Sequence, residues 1–287
     1  MTTPKVSIGM PVYNGEPFIR EALDSLLAQT FTDFELIISD NASTDGTEAI
    51  CQEYAAKDKR IRYIRQTENR GAAANFQFVL DEAVGEYFMW AAHDDTWTKD
   101  YLLNATNTLT DRSISFCFPT FKLRSIHLHL TKYFDHCKIF KFIESMDRRE
   151  RVLSFMALHH HSHKCNIVYS LFRTDFLRYA HQMQAINNDG ALGAVILGLG
   201  RGKMVKNAYF IKRYRKLWPG ALSFLYAWFY KDRSKEFDLA KSVAIANMQV
   251  LFPEYIKEIK LIVDLYKPYS HGSYYRILGL ENKFSNY

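Results

Sequence analysis

Apolar residues first run unbroken from Val6 to Val12 and then recur at helical spacing, as Phe18, Ile19, Ala22, Leu23, Leu26 and Leu27. The run predicts a strand buried on both faces, and the spacing predicts an amphipathic helix over 16–29. Phe34–Ser39 (F-E-L-I-I-S) is a second strand, followed by a helix capped by Thr44 or Asp45 and continuing to about Lys57. Ile61–Ile64 is a third, shorter strand, residues 71–84 a helix, and Glu86–Ala92 (E-Y-F-M-W-A-A) a fourth strand. Strand and helix units alternating at this length predict an α/β fold: a mostly parallel, right-handed doubly wound sheet flanked by helices.

After Asp95 the rhythm weakens. Lys99–Leu109 reads as helix, Ile114–Leu130 as strand, Asp147–Leu158 as a charged helix and Asn166–Phe172 as strand. The segment I-N-N-D-G-A-L-G-A-V-I-L-G-L-G-R-G-K-M-V reads as a turn, an apolar helix and a return to strand. From Arg213 the chain turns aromatic and basic, predicting a helical C-terminal extension over 213–287 beyond a domain of 1–212.

Charge sharpens that division. Residues 1–120 carry 10 Lys/Arg against 18 Asp/Glu, and residues 121–287 carry 27 against 13, within a chain of net +6. A basic second half suits anionic lipid, acidic glycan or nucleic acid, or is simply a solvated surface. The stretch from Arg213 to Lys231, with Trp218, Tyr226, Trp228 and Tyr230 between basic flanks, has the composition of an interfacial membrane helix. A core helix or a homodimer interface has the same composition. No signal-peptide pattern opens the chain, and its uncharged runs fall short of the roughly 18 residues that span a bilayer, so a cytoplasmic location is expected. Cys51, Cys117, Cys137 and Cys165 form no C-x-x-C pair and are expected to be reduced and structural.

The chemistry concentrates at the carboxyl ends of the predicted parallel strands, where open α/β sheets bind ligands. Pro11-Val12-Tyr13-Asn14, Asp40-Asn41-Ala42-Ser43, Glu68-Asn69-Arg70-Gly71 and His93-Asp94-Asp95 all lie there. A tyrosine face, amide and carboxylate groups, an arginine and two adjacent carboxylates suit a nucleotide diphosphate with a divalent ion. Alternatively, Pro11 and Tyr13 are a packed turn, and the paired aspartates open a helix into which Thr96-Trp97 lead. No G-x-G-x-x-G follows the first strand, which disfavours a dehydrogenase.

The segments K-V-S-I-G-M-P-V-Y-N-G, S-L-L-A-Q-T-F-T-D-F-E-L-I-I-S-D-N-A-S-T-D-G-T, E-N-R-G-A-A-A-N-F and A-A-H-D-D-T-W, in this order, resemble glycosyltransferase family 2 over about Pro4–Trp97. That family comprises inverting enzymes with a GT-A fold. The resemblance implies a nucleotide-sugar-binding half over 1–112 and an acceptor-binding half over 113–212. Pro11 and Tyr13 would wall the base, with Asn14 beside them. Asp40 and Asn41 would read its edge, and Arg70 would approach base or diphosphate. Asp95 would ligate Mn²⁺ or Mg²⁺ directly, with Asp94 turned to the ribose or a metal-bound water.

UDP-sugar is the donor most in keeping with the resemblance, although Asn41 stands where many UDP-binding relatives have an aspartate. Asp189 matches part of the family's Glu-Asp element and would be the general base, or a plain helix cap. The expected acceptor is a glycan or lipid-linked saccharide of surface polysaccharide biosynthesis, reached from the cytoplasmic face of the membrane, with no nucleic acid partner. A nucleotidyltransferase-like enzyme and a non-catalytic binder of glycans or anionic surfaces are the competing readings. His159–His163 reads as a loop lining the acceptor side in preference to a transition-metal site, with His127 and His129 treated likewise.

Overall fold

The computed structural model describes residues 3–125, 131–133, 140–157, 164–183, 189–214, 253–255 and 257. The chain divides into two compact units that are not consecutive in sequence. The first comprises Met1–Lys138, Asn166–Tyr179 and Gly200–Arg215, and the second Ile139–Cys165, Ala180–Leu199 and Lys216–Tyr287.

The first unit is built on one nine-stranded sheet. Its strands are β1 (Val6–Val12), β2 (Phe34–Asp40), β3 (Ile61–Arg65), β4 (Tyr87–Trp90), β5 (Thr96–Trp97), β6 (Phe116–Ser125), β7 (Thr131–Tyr133), β8 (Leu171–Arg173) and β9 (Gly202–Tyr214). They lie in the order β3-β2-β1-β4-β8-β6-β9-β5, with β7 paired to β6. The helices α1 (Ile19–Leu27), α2 (Thr47–Lys57), α3 (Ala72–Asp81) and α4 (Tyr101–Thr108) connect or follow the early strands.

The β3-β2-β1-β4 half is parallel, as expected. Every residue of β1 is buried, which is why its apolar run is unbroken. The other half is mixed: β8 joins β4 and β6 antiparallel, β9 runs parallel to β6, and β5 runs antiparallel to β9. Between Pro119 and Thr120 the β6–β9 register slips. The slip is taken up on β9, where Asn207 adopts φ 58°, a left-handed conformation that asparagine tolerates.

Two local expectations are corrected. Thr96-Trp97 opens no helix, because its backbone pairs with Ile211 and Phe210 of β9. Asn166–Phe172 is not one strand: Lys164–Tyr169 is a 3-10 helix and only Leu171–Arg173 extends. A short apolar run is compatible with either, since burial and not alternation makes it apolar. The helix α6 (Thr174–Met183) follows.

In the second unit α5 (Arg148–Ala157) packs on α7 (Asp189–Leu199). From Leu192 to Leu197 the α7 residues are buried, so its apolar composition is that of a core helix. Arg151 is buried here and spends its guanidinium on backbone carbonyls, with Nε donating to Leu197 O at 2.8 Å and Nη1 to Ser145 O at 2.8 Å. Among the described residues no helix is long and apolar enough to cross a membrane.

Candidate active site

The ends of β1, β2, β3 and β4 meet through a chain of short contacts. Asn41 donates its backbone N–H to Val12 O at 2.9 Å, and Asn14 its N–H to Ser43 Oγ at 2.9 Å. The Asn14 side chain answers by accepting from Thr44 N at 2.9 Å, with φ 51° bending the chain after Tyr13. On the other flank Gly15 lies so near β4 that a Cβ there would meet His93 Cδ2 at 2.9 Å. Glycine lets the turn after β1 close onto the His93-Asp94-Asp95 corner.

Pro11 is buried in β1, opposite Ser39. Tyr13 is 45% exposed, and a ring with a free face at the mouth of a sheet is a platform for stacking. Asn14 and Arg70 are exposed.

Asp40 has a different character. It is fully buried, and its oxygens accept from Ser43 N at 2.8 Å, Tyr63 Oη at 2.9 Å and Arg65 Nη1 at 2.9 Å. Its charge is spent on fixing the turn after β2, not left open to a ligand.

Asn41 ties that turn to the next loop. Its Oδ1 accepts from Arg70 N at 3.0 Å, and its Nδ2 donates to Asn69 Oδ1 at 2.8 Å and Gly71 O at 3.2 Å. A backbone N–H on one side and a backbone carbonyl on the other fix which way the amide points. Both Nδ2 protons are thereby used inside the protein, and Oδ1 alone keeps acceptor capacity.

At the last corner Asp95 is 1% exposed. Its Oδ1 accepts from Arg213 N at 2.8 Å, while Oδ2 is buried with no hydrogen-bond partner and has Lys212 Nζ at 3.9 Å. Burial pushes its carboxyl up to about 7; the Lys212 charge opposes this and the Asp94 charge adds to it. The Asp94 carbonyl accepts from Arg213 Nε at 3.0 Å. The Arg213 guanidinium also pairs with Glu21 Oε2 at 2.7 Å and lies 4.6 Å from the Phe18 ring. Arg213 therefore fastens β9, the aspartate corner and α1 together.

A divalent ion fits this corner. A buried carboxylate oxygen without a donor is an acceptor in want of a cation, and carboxylate oxygens are the donors that Mg²⁺ and Mn²⁺ take. Among the described residues no cluster of three His, Cys, Asp or Glu gathers anywhere, so the carboxylates present at this corner are those of Asp94 and Asp95. Asp189 lies in the second unit as the first residue of α7. His127, His129, His159–His163, Arg215 and the aromatic stretch from Lys216 to Lys231 lie outside the described residues.

The model of the family described as "Glycosyl transferase family 2" matches residues 7–170. The chain belongs to glycosyl transferase family 2. Within it, the chain is 38% identical over 120 residues to "Putative teichuronic acid biosynthesis glycosyltransferase TuaG" of Bacillus subtilis, covering 42% of this chain and 48% of that protein. It is 37% identical over 98 residues to "Glycosyltransferase GlyA" of Streptococcus pneumoniae, covering 34% and 14%. The matched region thus spans about half or less of these curated relatives' length.

Among solved structures, S. aureus TarS 1–349 in complex with UDP superposes with a TM-score of 0.56 at 17% identity, over 85% of this chain and 65% of that one. The mannosyltransferase PcManGT of Pyrobaculum calidifontis, in complex with GDP-Man and Mn²⁺, superposes at 0.52 and 17% identity, over 100% and 89%. These likenesses establish the GT-A fold.

Lys212, Arg213, Tyr63 and Arg65 are the site-shaping residues that the motifs leave unmarked. Arg65 and Tyr63 sit at the end of the predicted third strand, a position that signals proximity to Asp40. Lys212 and Arg213 reach Asp95 only because β9 returns beside β5.

Proposed function

We propose that the protein is a metal-dependent inverting glycosyltransferase that moves a sugar from a nucleotide diphosphate, UDP first among candidates, to a glycan or lipid-linked acceptor in surface polysaccharide synthesis. The observation that carries this reading is the orphaned Asp95 Oδ2 beyond the end of β4, at a corner on which the turn after β1 closes through Gly15 and His93. Support comes from the family membership, from a relative named for teichuronic acid biosynthesis, and from GT-A neighbours described with UDP and with GDP-Man and Mn²⁺.

In this reading Tyr13 stacks on the base and Pro11 backs the turn. Asn41 offers Oδ1 as an acceptor, which suits the N3–H of uracil better than the bare N3 of cytosine. Asp40 acts one layer back, holding the turn that presents Asn41 and Asn14. Arg70, exposed on its loop, reaches the base or the diphosphate. Asp95, with Asp94, holds Mn²⁺ or Mg²⁺, which when bound supplies Lewis-acid charge opposite the departing diphosphate. Asp189 takes the proton of the acceptor hydroxyl as its oxygen attacks the anomeric carbon. The functional division follows as residues 1–112 for the donor, 113–212 for the acceptor and 213–287 for an extension that contacts an anionic membrane surface from the cytoplasmic side or a second copy of the chain.

The test is UDP binding with MnCl₂ by calorimetry, followed by UDP release from UDP-sugars in the presence of acceptor glycans. Tyr13→Ala should weaken UDP binding by about tenfold, as loss of one stacking face implies. Asp95→Asn should abolish the Mn²⁺ dependence. Asp189→Asn should spare UDP binding and lower turnover by about 10²–10⁴. Full turnover in Asp189→Asn rules that residue out as base, and UDP affinity indifferent to Tyr13 and Asp95 overturns the donor site.

A further inference from the structure

The cation that already faces Asp95 belongs to the protein. Lys212 Nζ lies 3.9 Å from the buried Oδ2, close enough for strong charge attraction and too far for a hydrogen bond. The ammonium is held over the Tyr169 ring at 4.9 Å and the Phe210 ring at 5.8 Å, and Phe210 is itself stacked on Trp97 at 5.7 Å. Aromatic faces hold a cation loosely and without directional bonds. The lysine side chain is 28% exposed and rides on a flexible four-carbon stem, so it has somewhere to go. Among the described residues no other cationic side chain comes within ion-pair distance of Asp95.

We propose that Lys212 is a built-in competitor for the divalent-ion position on Asp95, setting how much ion the site needs before it fills. The inference rests on the metal-site reading above. A monovalent ammonium and a divalent ion cannot share one buried oxygen without repulsion, so the ion enters as Lys212 withdraws towards solvent. Until then Lys212 keeps Asp95 from standing as an uncompensated buried charge. Lys212 is a positioning residue, acting on the ion through Asp95.

The experiment is calorimetric titration of MnCl₂, without nucleotide, into the full-length wild type and into Lys212→Met, Lys212→Arg and Asp95→Asn, each checked for an unchanged circular dichroism spectrum. Lys212→Met keeps most of the stem's packing and removes the charge, and should bind Mn²⁺ about tenfold more tightly, the scale expected for losing a unit charge near a divalent ion. Lys212→Arg keeps the charge and should stay within about twofold of wild type. Tightening in both variants would point to loosened packing and overturn the proposal, as would a Lys212→Met affinity equal to wild type. Asp95→Asn separates the two readings. If it abolishes Mn²⁺ binding while Lys212→Met changes nothing, only the competitor role fails. If it leaves Mn²⁺ binding intact, the metal site itself is elsewhere, and both fall. Absence of Mn²⁺ binding in all four proteins likewise overturns both.

Discussion

Replacing Arg213 with alanine tests whether the aspartate corner is held from behind. The Arg213 side chain is 10% exposed and its guanidinium makes three contacts at once: Nε to Asp94 O at 3.0 Å, Nη2 to Glu21 Oε2 at 2.7 Å, and Cζ 4.6 Å from the Phe18 ring centroid. A hydrogen bond from a charged donor to a carbonyl contributes about 1.5–3 kcal/mol, and a cation over a ring about 0.5–1 kcal/mol. The Glu21 partner is 51% exposed, so solvent screening reduces that pair to well under about 1 kcal/mol. Neighbouring contacts do not add fully, which leaves a total of about 2–4 kcal/mol for Arg213→Ala. Urea unfolding of the wild type, Arg213→Ala and Glu21→Gln measures it, with Glu21→Gln expected to lose less than about 1 kcal/mol.

The same pair has a pH signature. The Arg213 hydrogen bond holds the Glu21 carboxyl below its ordinary 4.5; burial opposes it, and the charges of Arg213 and Arg124 add smaller downward effects. A carboxylate depressed on folding contributes stability that is complete above its unfolded value and is lost as pH falls through the folded one. Wild type should therefore lose stability below about pH 4.5 more steeply than Arg213→Ala. An Arg213→Ala protein within about 0.5 kcal/mol of wild type, or a Glu21→Gln protein as unstable as Arg213→Ala, would refute the reasoning, because the energy would then be absent or would sit in the exposed pair.

Other expectations follow from single residues. Asn41→Asp replaces a donor that serves Asn69 Oδ1 and Gly71 O with an acceptor facing two acceptors, and should cost about 1–3 kcal/mol in thermal unfolding and weaken UDP binding in calorimetry. Retained stability and affinity would show that the Asn69–Gly71 loop is not held by Asn41. Gly85→Ala drives a Cβ to 2.6 Å from Ser7 N, a backbone atom that cannot move aside, and should cost about 1–3 kcal/mol by urea unfolding. Gly71→Ala meets nothing within 4 Å but holds φ 82° and ψ 163°, a region essentially reserved for glycine, and should cost about 1–3 kcal/mol through backbone strain alone. Burial pushes the Cys51 thiol up to about 12, with the Asp40 and Asp45 charges adding to the effect, so native protein should resist iodoacetamide at Cys51 and urea-unfolded protein should not. Rapid labelling by mass spectrometry with native structure intact would contradict its burial.

The parallel half of the sheet was legible in the chain because β1 and β2 are buried on both faces and signal themselves as apolar runs. Turn chemistry after each strand then placed Tyr13, Asn41, Arg70 and the two aspartates at one edge. The second half was less legible for a physical reason. β5 has two residues and β8 three, and each is a strand only because a partner distant in sequence supplies its hydrogen bonds.

Residue type alone likewise determined that Asp94 and Asp95 are hard anionic donors. Which oxygen stays unpaired was decided by Arg213, whose N–H reaches Asp95 Oδ1 from 118 residues away. Asp40 carries the same carboxylate, yet three donors in the tertiary structure make it a fastener. Sequence specifies which groups are present. Long-range pairing decides which of them remain unsatisfied, and unsatisfied groups are those left to bind a ligand.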